Sequence, residues 1–164
     1  MYELNLGATD KATLYRDLVA ALESLVAGEP DPIANMANAA ALIWETVPDL
    51  NWAGFYRNVG GELVLGPFQG RPACIRIPFG EGMCGMAAAS LKVQRVDDVH
   101  TFPGHIACDS ASQSELVVPI VGKDGALIAV LDLDSPEMAR FDEEDEAGVV
   151  ALVEILSSRL TQLI

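Results

Sequence analysis

ELVVPIVGKDGALIAVLDLD, residues 115–134, sets two apolar runs on either side of Gly122-Lys-Asp-Gly125. Short runs rich in Val, Ile and Leu, interrupted by glycine and aspartate, predict a β-hairpin of Glu115–Val121 and Ala126–Leu133. In the returning strand Ile128, Val130, Asp132 and Asp134 fall on one face, and Leu127, Ala129, Leu131 and Leu133 on the other. Carboxylates two positions apart on a strand sit about 7 Å apart at Cα, and the start of the partner strand puts Glu115 beside them. Three carboxylates therefore gather at one end of the sheet. Like charges so close raise one another's pKa and call for a ligand or a cation. In an acidic chain a solvated rim is the plainer alternative.

Outward from this hairpin the chain reads as helices flanking short strands. Asp10 caps a periodic run of Leu14, Leu18, Leu22 and Leu25, predicting a helix over 10–27 that Gly28 and Pro30 end. Asp31-Pro32 opens a second helix, Ile33 to Val47. Asn51–Arg57 is strand-like, Asn58–Gly61 a turn, and Glu62–Leu65 the returning strand. Further strands are expected at Ala73–Ile77 and Val93–Val96, with a short helix from Met86 to Leu91 after the turn Gly80–Gly85. Residues 97–113 follow neither periodicity, and a loop of that length inside a domain usually carries function. Asp142 caps a closing helix whose acidic first turn suits the positive end of the helix dipole. The class is α+β, an antiparallel sheet with helices packed on it, and 164 residues make one domain of 1–164.

With 24 acidic against 10 basic residues the formal charge is -14, which repels phosphate backbones and anionic lipid. No nucleic acid or membrane partner is expected. No apolar run approaches the roughly 20 residues of a membrane span, and MYELNLGATD has no signal-peptide pattern. Hydrophobic residues make up 51% of the chain, so some apolar surface is expected to lie against a second copy.

The chemistry-bearing residues form three groups. On the strand Asn51–Arg57, Trp52, Gly54 and Tyr56 share a face, so two aromatics flank a position with no side chain and wall a recess. Ordinary core is the better reading of that pattern alone. The acidic group is Glu115, Asp132 and Asp134. The third is cysteine: Cys84 lies at a helix N-terminus, where the dipole is expected to lower a thiol pKa. Cys108 lies in the long loop near His100 and His105, where a reactive thiol is expected. Cys74 lies on a strand beside Ile75 and Ile77 and reads as a small buried hydrophobe. A zinc site built from Cys74, Cys84, His100, His105 and Cys108 lacks the paired C-x2-4-C spacing of structural zinc, so no metal is expected.

Taken together, NWAGFY, LVLGPFQGRPACIRIPFGEGMCG, VDDVHTFPGHIACDSASQSELVVPI and VLDLDS resemble the free methionine-(R)-sulfoxide reductases, a family of stand-alone GAF domains. The likeness runs from about residue 13 into the last helix. It implies a GAF-like antiparallel sheet of about six strands, no cofactor, and reduction of free L-methionine-(R)-sulfoxide by sulfenic acid and disulfide chemistry. It also implies a cytoplasmic homodimer regenerated by thioredoxin. Carried onto this sequence, Trp52 and Tyr56 look like the pocket for the methyl-sulfinyl end, and Glu115, Asp132 and Asp134 like the polar contacts. Cys108 looks like the nucleophile, with Cys74 or Cys84 resolving it. Glu115, crowded by two aspartates, suits the acid that protonates the sulfoxide oxygen. Rival classes are a GAF-type sensor of a small ligand and a thiol redox sensor without catalysis.

Overall fold

The computed structural model describes residues 10–104 and 109–160. In chain order the elements are α1 (Lys11–Leu25), α2 (Pro32–Thr46), β1 (Trp52–Val59), β2 (Glu62–Gly70), β3 (Arg76–Pro78), α3 (Gly82–Ser90), β4 (Gln94–Val96), β5 (Ser114–Val121), β6 (Leu127–Ser135) and α4 (Glu143–Arg159). The strands form one antiparallel sheet in the order β3-β2-β1-β6-β5-β4. This is the expected α+β, GAF-like arrangement of six strands.

Each face of the sheet has its own core. Ala53, Phe55, Leu116, Val118, Leu131 and Leu133 point toward α1, α2 and α4, which supply Leu18, Leu22, Met36, Ile43, Leu152 and Leu156. The opposite face carries Trp52, Tyr56, Val117 and Val130 and is covered by α3 through Met83, Ala87 and Ala88. The alternation expected for β6 holds from Ala129 onward. It slips at the start of the strand, where Ile128 belongs to the first core and Leu127 to the second. Between Ile120 and Val121 of β5 the pairing skips Ile128, the extra residue of a bulge in β6, and this turns the start of β6 over.

Several expected boundaries move. β2 runs past Leu65 to Gly70 through Pro67. Because β3 pairs with β2 only at Glu62, Leu63 and Val64, Pro67 lies where one edge is open and no ladder donor is needed. The β1–β2 turn is the pair Gly60-Gly61, tighter than the predicted Asn58–Gly61, because both strands run into it. Cys74 is not on a strand: β3 begins only at Arg76.

The helices are fixed at their starts as the sequence implies. Asp10, Asp31 and Asp142 each accept from a backbone N–H of the first turn, and Asp142 forms a capping box with Asp145. Asp145 is fully buried and serves a second purpose. Its carboxylate accepts from Tyr15 Oη at 2.9 Å, Lys11 Nζ at 2.6 Å and Arg140 Nη1 at 3.1 Å. A buried carboxylate is tolerated only with such partners, and these join α1 to α4.

Candidate active site

β1, β6 and β5 lie side by side, and their registers bring the predicted residues together. Trp52 pairs with Asp134, which pairs with Glu115; Gly54 pairs with Asp132, which pairs with Val117. The second core face therefore carries an aromatic column on β1 beside an acidic column on β6 and β5. Trp52 stacks on Tyr56 with ring centroids 5.7 Å apart and on Phe68 of β2 at 5.3 Å. Gly54 makes this possible, since a Cβ there would lie 2.3 Å from Phe68 Cβ and 2.8 Å from Trp52 Cη2. Trp52 Nε1 donates to the Arg71 carbonyl at 3.2 Å, which anchors the ring and the β2–β3 link together.

A recess of about 530 Å³, mouth included, opens between this face and the N-terminus of α3. Trp52, Tyr56, Glu115, Asp132, Asp134 and Cys84 all line it, joined by Asp109 and Ser112 at the end of the long loop. Among the described residues, none that lines it is basic. Glu81, Gly82, Met83 and Cys84 at the start of α3 also line the recess, and because N-cap Glu81 makes no side-chain cap bond, first-turn N–H groups lack a side-chain partner. The recess thus brings an acidic group, two stacked aromatic rings and the first turn of α3 together, with Cys84 of that turn within 4.8 Å of Glu115 and Asp132.

Burial governs the protonation of the acidic group. Glu115 is held well above the usual carboxylate range by burial, then by the charges of Asp132 and Asp134, and it hydrogen-bonds Asp132. Asp134 is raised by burial and by Asp132 and Asp109. Asp132 is pushed up by burial to about 7, although hydrogen bonds from Cys84 and Glu115 pull against the rise. Its Oδ1 is buried with no partner. Tyr56 is also raised, by burial and by Asp132. The group therefore holds protons near neutrality and offers an unsatisfied acceptor.

Those directions fix a stability profile. Each raised carboxyl favours folding fully below its unfolded pKa, near 4, and loses that contribution as pH climbs through its folded value. Asp132 places part of this window between about 4 and about 7. We therefore expect the melting temperature of the ligand-free protein to fall from pH 5 to pH 8, and Asp132→Asn to flatten the slope. The lowered carboxyls, Asp10, Asp98 and Asp142, act only in more acid solution. Calorimetry across that range checks this; a melting temperature that rises with pH would contradict it.

The cysteines differ most from expectation. Cys84 is a free thiol in the first turn of α3, but its pKa is raised well above normal rather than lowered. Complete burial is the main cause, followed by the charges of Asp132 and Glu115. Cys74 is half-buried between β2 and β3 and disulfide-bonded, so it is not simple core filler. Cys108 and His105 lie outside the described residues. His100 is exposed and bonds Asp98 at 2.8 Å, away from the recess. The zinc grouping is thus not assembled among the described residues. Ligand atoms of Cys84, Glu115 and Asp132 do lie within 4.8 Å of one another, but Asp132 accepts hydrogen bonds from both Cys84 and Glu115, which a bound cation would have to displace.

Sequence reasoning missed Phe68, Asp109 and Asn51. Asn51 Nδ2 donates to Asp109 Oδ2 at 3.3 Å and to Ser112 Oγ at 3.0 Å, fastening the end of the long loop to the start of β1. The position of Asp109 directly after Cys108 was the available signal for its place at the recess.

Residues 35–161 match the GAF domain family, and the chain belongs to it. Within that fold it belongs to the free methionine-R-sulfoxide reductase family. The Escherichia coli protein named free methionine-R-sulfoxide reductase is 52% identical over 88% of this chain and 87% of its own. Its namesake from Saccharomyces cerevisiae is 40% identical over 95% and 89%. The structure of the free methionine-R-sulfoxide reductase from Neisseria meningitidis in complex with its substrate superimposes with a TM-score of 0.92. It is 48% identical, covering 97% of this chain and 95% of that one.

Proposed function

We propose that this chain, working as one catalytic domain over residues 1–164, reduces free L-methionine-(R)-sulfoxide to L-methionine. In this reading it acts as a cytoplasmic homodimer that thioredoxin regenerates. The observation that carries the proposal is the unsatisfied acidic group facing two stacked rings. Asp132 and Asp134 receive the substrate's ammonium, the Trp52 and Tyr56 rings take the methyl-sulfinyl end, and the α3 N–H groups take the carboxylate. A methionine residue inside a polypeptide carries neither terminal charge, which accounts for a preference for the free amino acid.

In the reaction, the Cys108 sulfur attacks the sulfoxide sulfur while Glu115 gives a proton to the sulfoxide oxygen. The oxygen passes to Cys108 as a sulfenic acid, methionine leaves, and the thiol's own proton restores Glu115. Cys74 then condenses with the sulfenic acid, releasing water and leaving a disulfide. The disulfide-bonded Cys74 supports its assignment as the resolving residue. Cys84, buried and protonated, is assigned to hydrogen-bonding Asp132 rather than to nucleophilic attack. Incubation with each epimer of free methionine sulfoxide and dithiothreitol tests the proposal. Methionine should form from the R epimer and not from the S epimer; no methionine from either would remove the reading.

A further inference from the structure

The segment Arg71-Pro-Ala-Cys-Ile-Arg76 has two sides. Pro72 and Ala73 line the recess, and the Arg71 carbonyl holds the Trp52 indole. Two residues further on, Ile75 is 70% exposed, more than any other large hydrophobic side chain among the described residues. Its backbone is nonetheless fixed, because Leu65 N donates to the Ile75 carbonyl at 2.9 Å and Arg76 pairs with Val64. A single exposed isoleucine is common on protein surfaces, but this one has a fixed backbone and adjoins a half-buried, disulfide-bonded cysteine. The edge is also open, since β3 is the outermost strand on its side of the sheet.

Charge singles out the same place. The chain carries 24 acidic and 10 basic residues, yet residues 71–76 contain two arginines and no acid. Arg76 is exposed and pairs with Glu62 at 2.7 Å. An acidic protein approaching a chain of charge -14 meets repulsion over most of its surface, whereas this patch offers Arg71 and the Glu62-paired Arg76 on either side of an exposed apolar side chain.

We propose that Arg71, Pro72, Ile75 and Arg76 form the docking surface for a protein dithiol that reduces the disulfide at Cys74. This rests on the catalytic reading above and adds where its reductant lands. The partner's chemistry is an attacking thiolate set in apolar surface with carboxylates at its rim. Its thiolate attacks the Cys74 sulfur, forming a mixed disulfide and releasing the other cysteine of the bond as a thiolate that takes up a proton. The partner's second thiol then attacks its own sulfur in the mixed disulfide, frees Cys74 as a thiol, and leaves the partner oxidised by two electrons. Substrate and reductant thus use opposite sides of one short segment, and the reductant need not enter the acidic recess.

The test needs no sulfoxide. The purified, oxidised protein is mixed with reduced thioredoxin as the probe, and in parallel with dithiothreitol, and released thiols are followed in time. Ile75→Asp and Arg71→Glu should each slow reduction by thioredoxin at least about tenfold, on the scale of losing one central interface contact, while dithiothreitol reduces them at the wild-type rate. Ile75→Val should behave as wild type. Equal rates with thioredoxin across wild type and variants would overturn the proposal, as would slowing that is the same for both reductants. Because thiol release is read without substrate, a protein that makes no methionine would defeat the catalytic reading while leaving this result interpretable.

Discussion

Glu115→Gln should lower kcat/KM for free methionine-(R)-sulfoxide by about 10²–10⁴-fold, the range typical of a positioned general acid. The amide fills the same space and still hydrogen-bonds Asp132, but it cannot deliver a proton to the sulfoxide oxygen. Burial and the charges of Asp132 and Asp134 keep the wild-type carboxyl protonated near neutrality. The wild-type rate should therefore fall as pH rises through that raised value, and the variant should lack that limb. The replacement also removes a carboxyl whose ionisation is penalised by burial, so the variant should melt no lower than wild type at pH 8. Steady-state kinetics from pH 6 to 9, with melting curves, check both points. Activity within a few fold of wild type would remove Glu115 from the proton's path.

The second large effect concerns the sulfurs. After reduction and removal of the reductant, wild type should release about one methionine per chain and stop, because each turnover consumes a thiol pair. Cys108→Ser should release none even in this first turnover, since a serine hydroxyl does not attack the sulfoxide sulfur. Cys74→Ser should still release its first methionine but form no disulfide, leaving a sulfenic acid that dimedone labels on Cys108. Cys84→Ser should keep the first turnover and raise KM. Rapid quench with methionine quantification and mass spectrometry separates these outcomes. A first-turnover methionine from Cys108→Ser that vanishes in Cys84→Ser would exchange the two roles.

Much of this arrangement could be read from residue order, and the parts that could not have a common cause. The β5–β6 hairpin is local, so alternation alone gathered Glu115, Asp132 and Asp134, and the register shows Glu115 directly opposite Asp134. Trp52 and Tyr56 were likewise placed on one face by β1. The state of Cys84 was not legible. A helix dipole contributes about 0.3–1 kcal/mol, less than one pKa unit, whereas full burial shifts a group by up to several. That burial comes from α3 lying across the end of strands distant in sequence. Spacing alone read Cys74 as buried filler, because spacing does not reveal which cysteines bond; only the resemblance offered it as a resolving partner. Phe68 was lost because Gly66-Pro67 reads as a strand breaker; the proline is tolerated because it sits in a bulge of the β1–β2 ladder, beyond the reach of the short β3.

The account depends most on the buried carboxyls receiving the ammonium of an unblocked amino acid. Its most direct measurement is turnover of free methionine-(R)-sulfoxide against its N-acetyl derivative, on the same enzyme with the same reductant. The free amino acid should be reduced at least about a hundredfold more efficiently, as expected when a site built for a polar group is left unpaired. Equal reduction of the two would contradict the account.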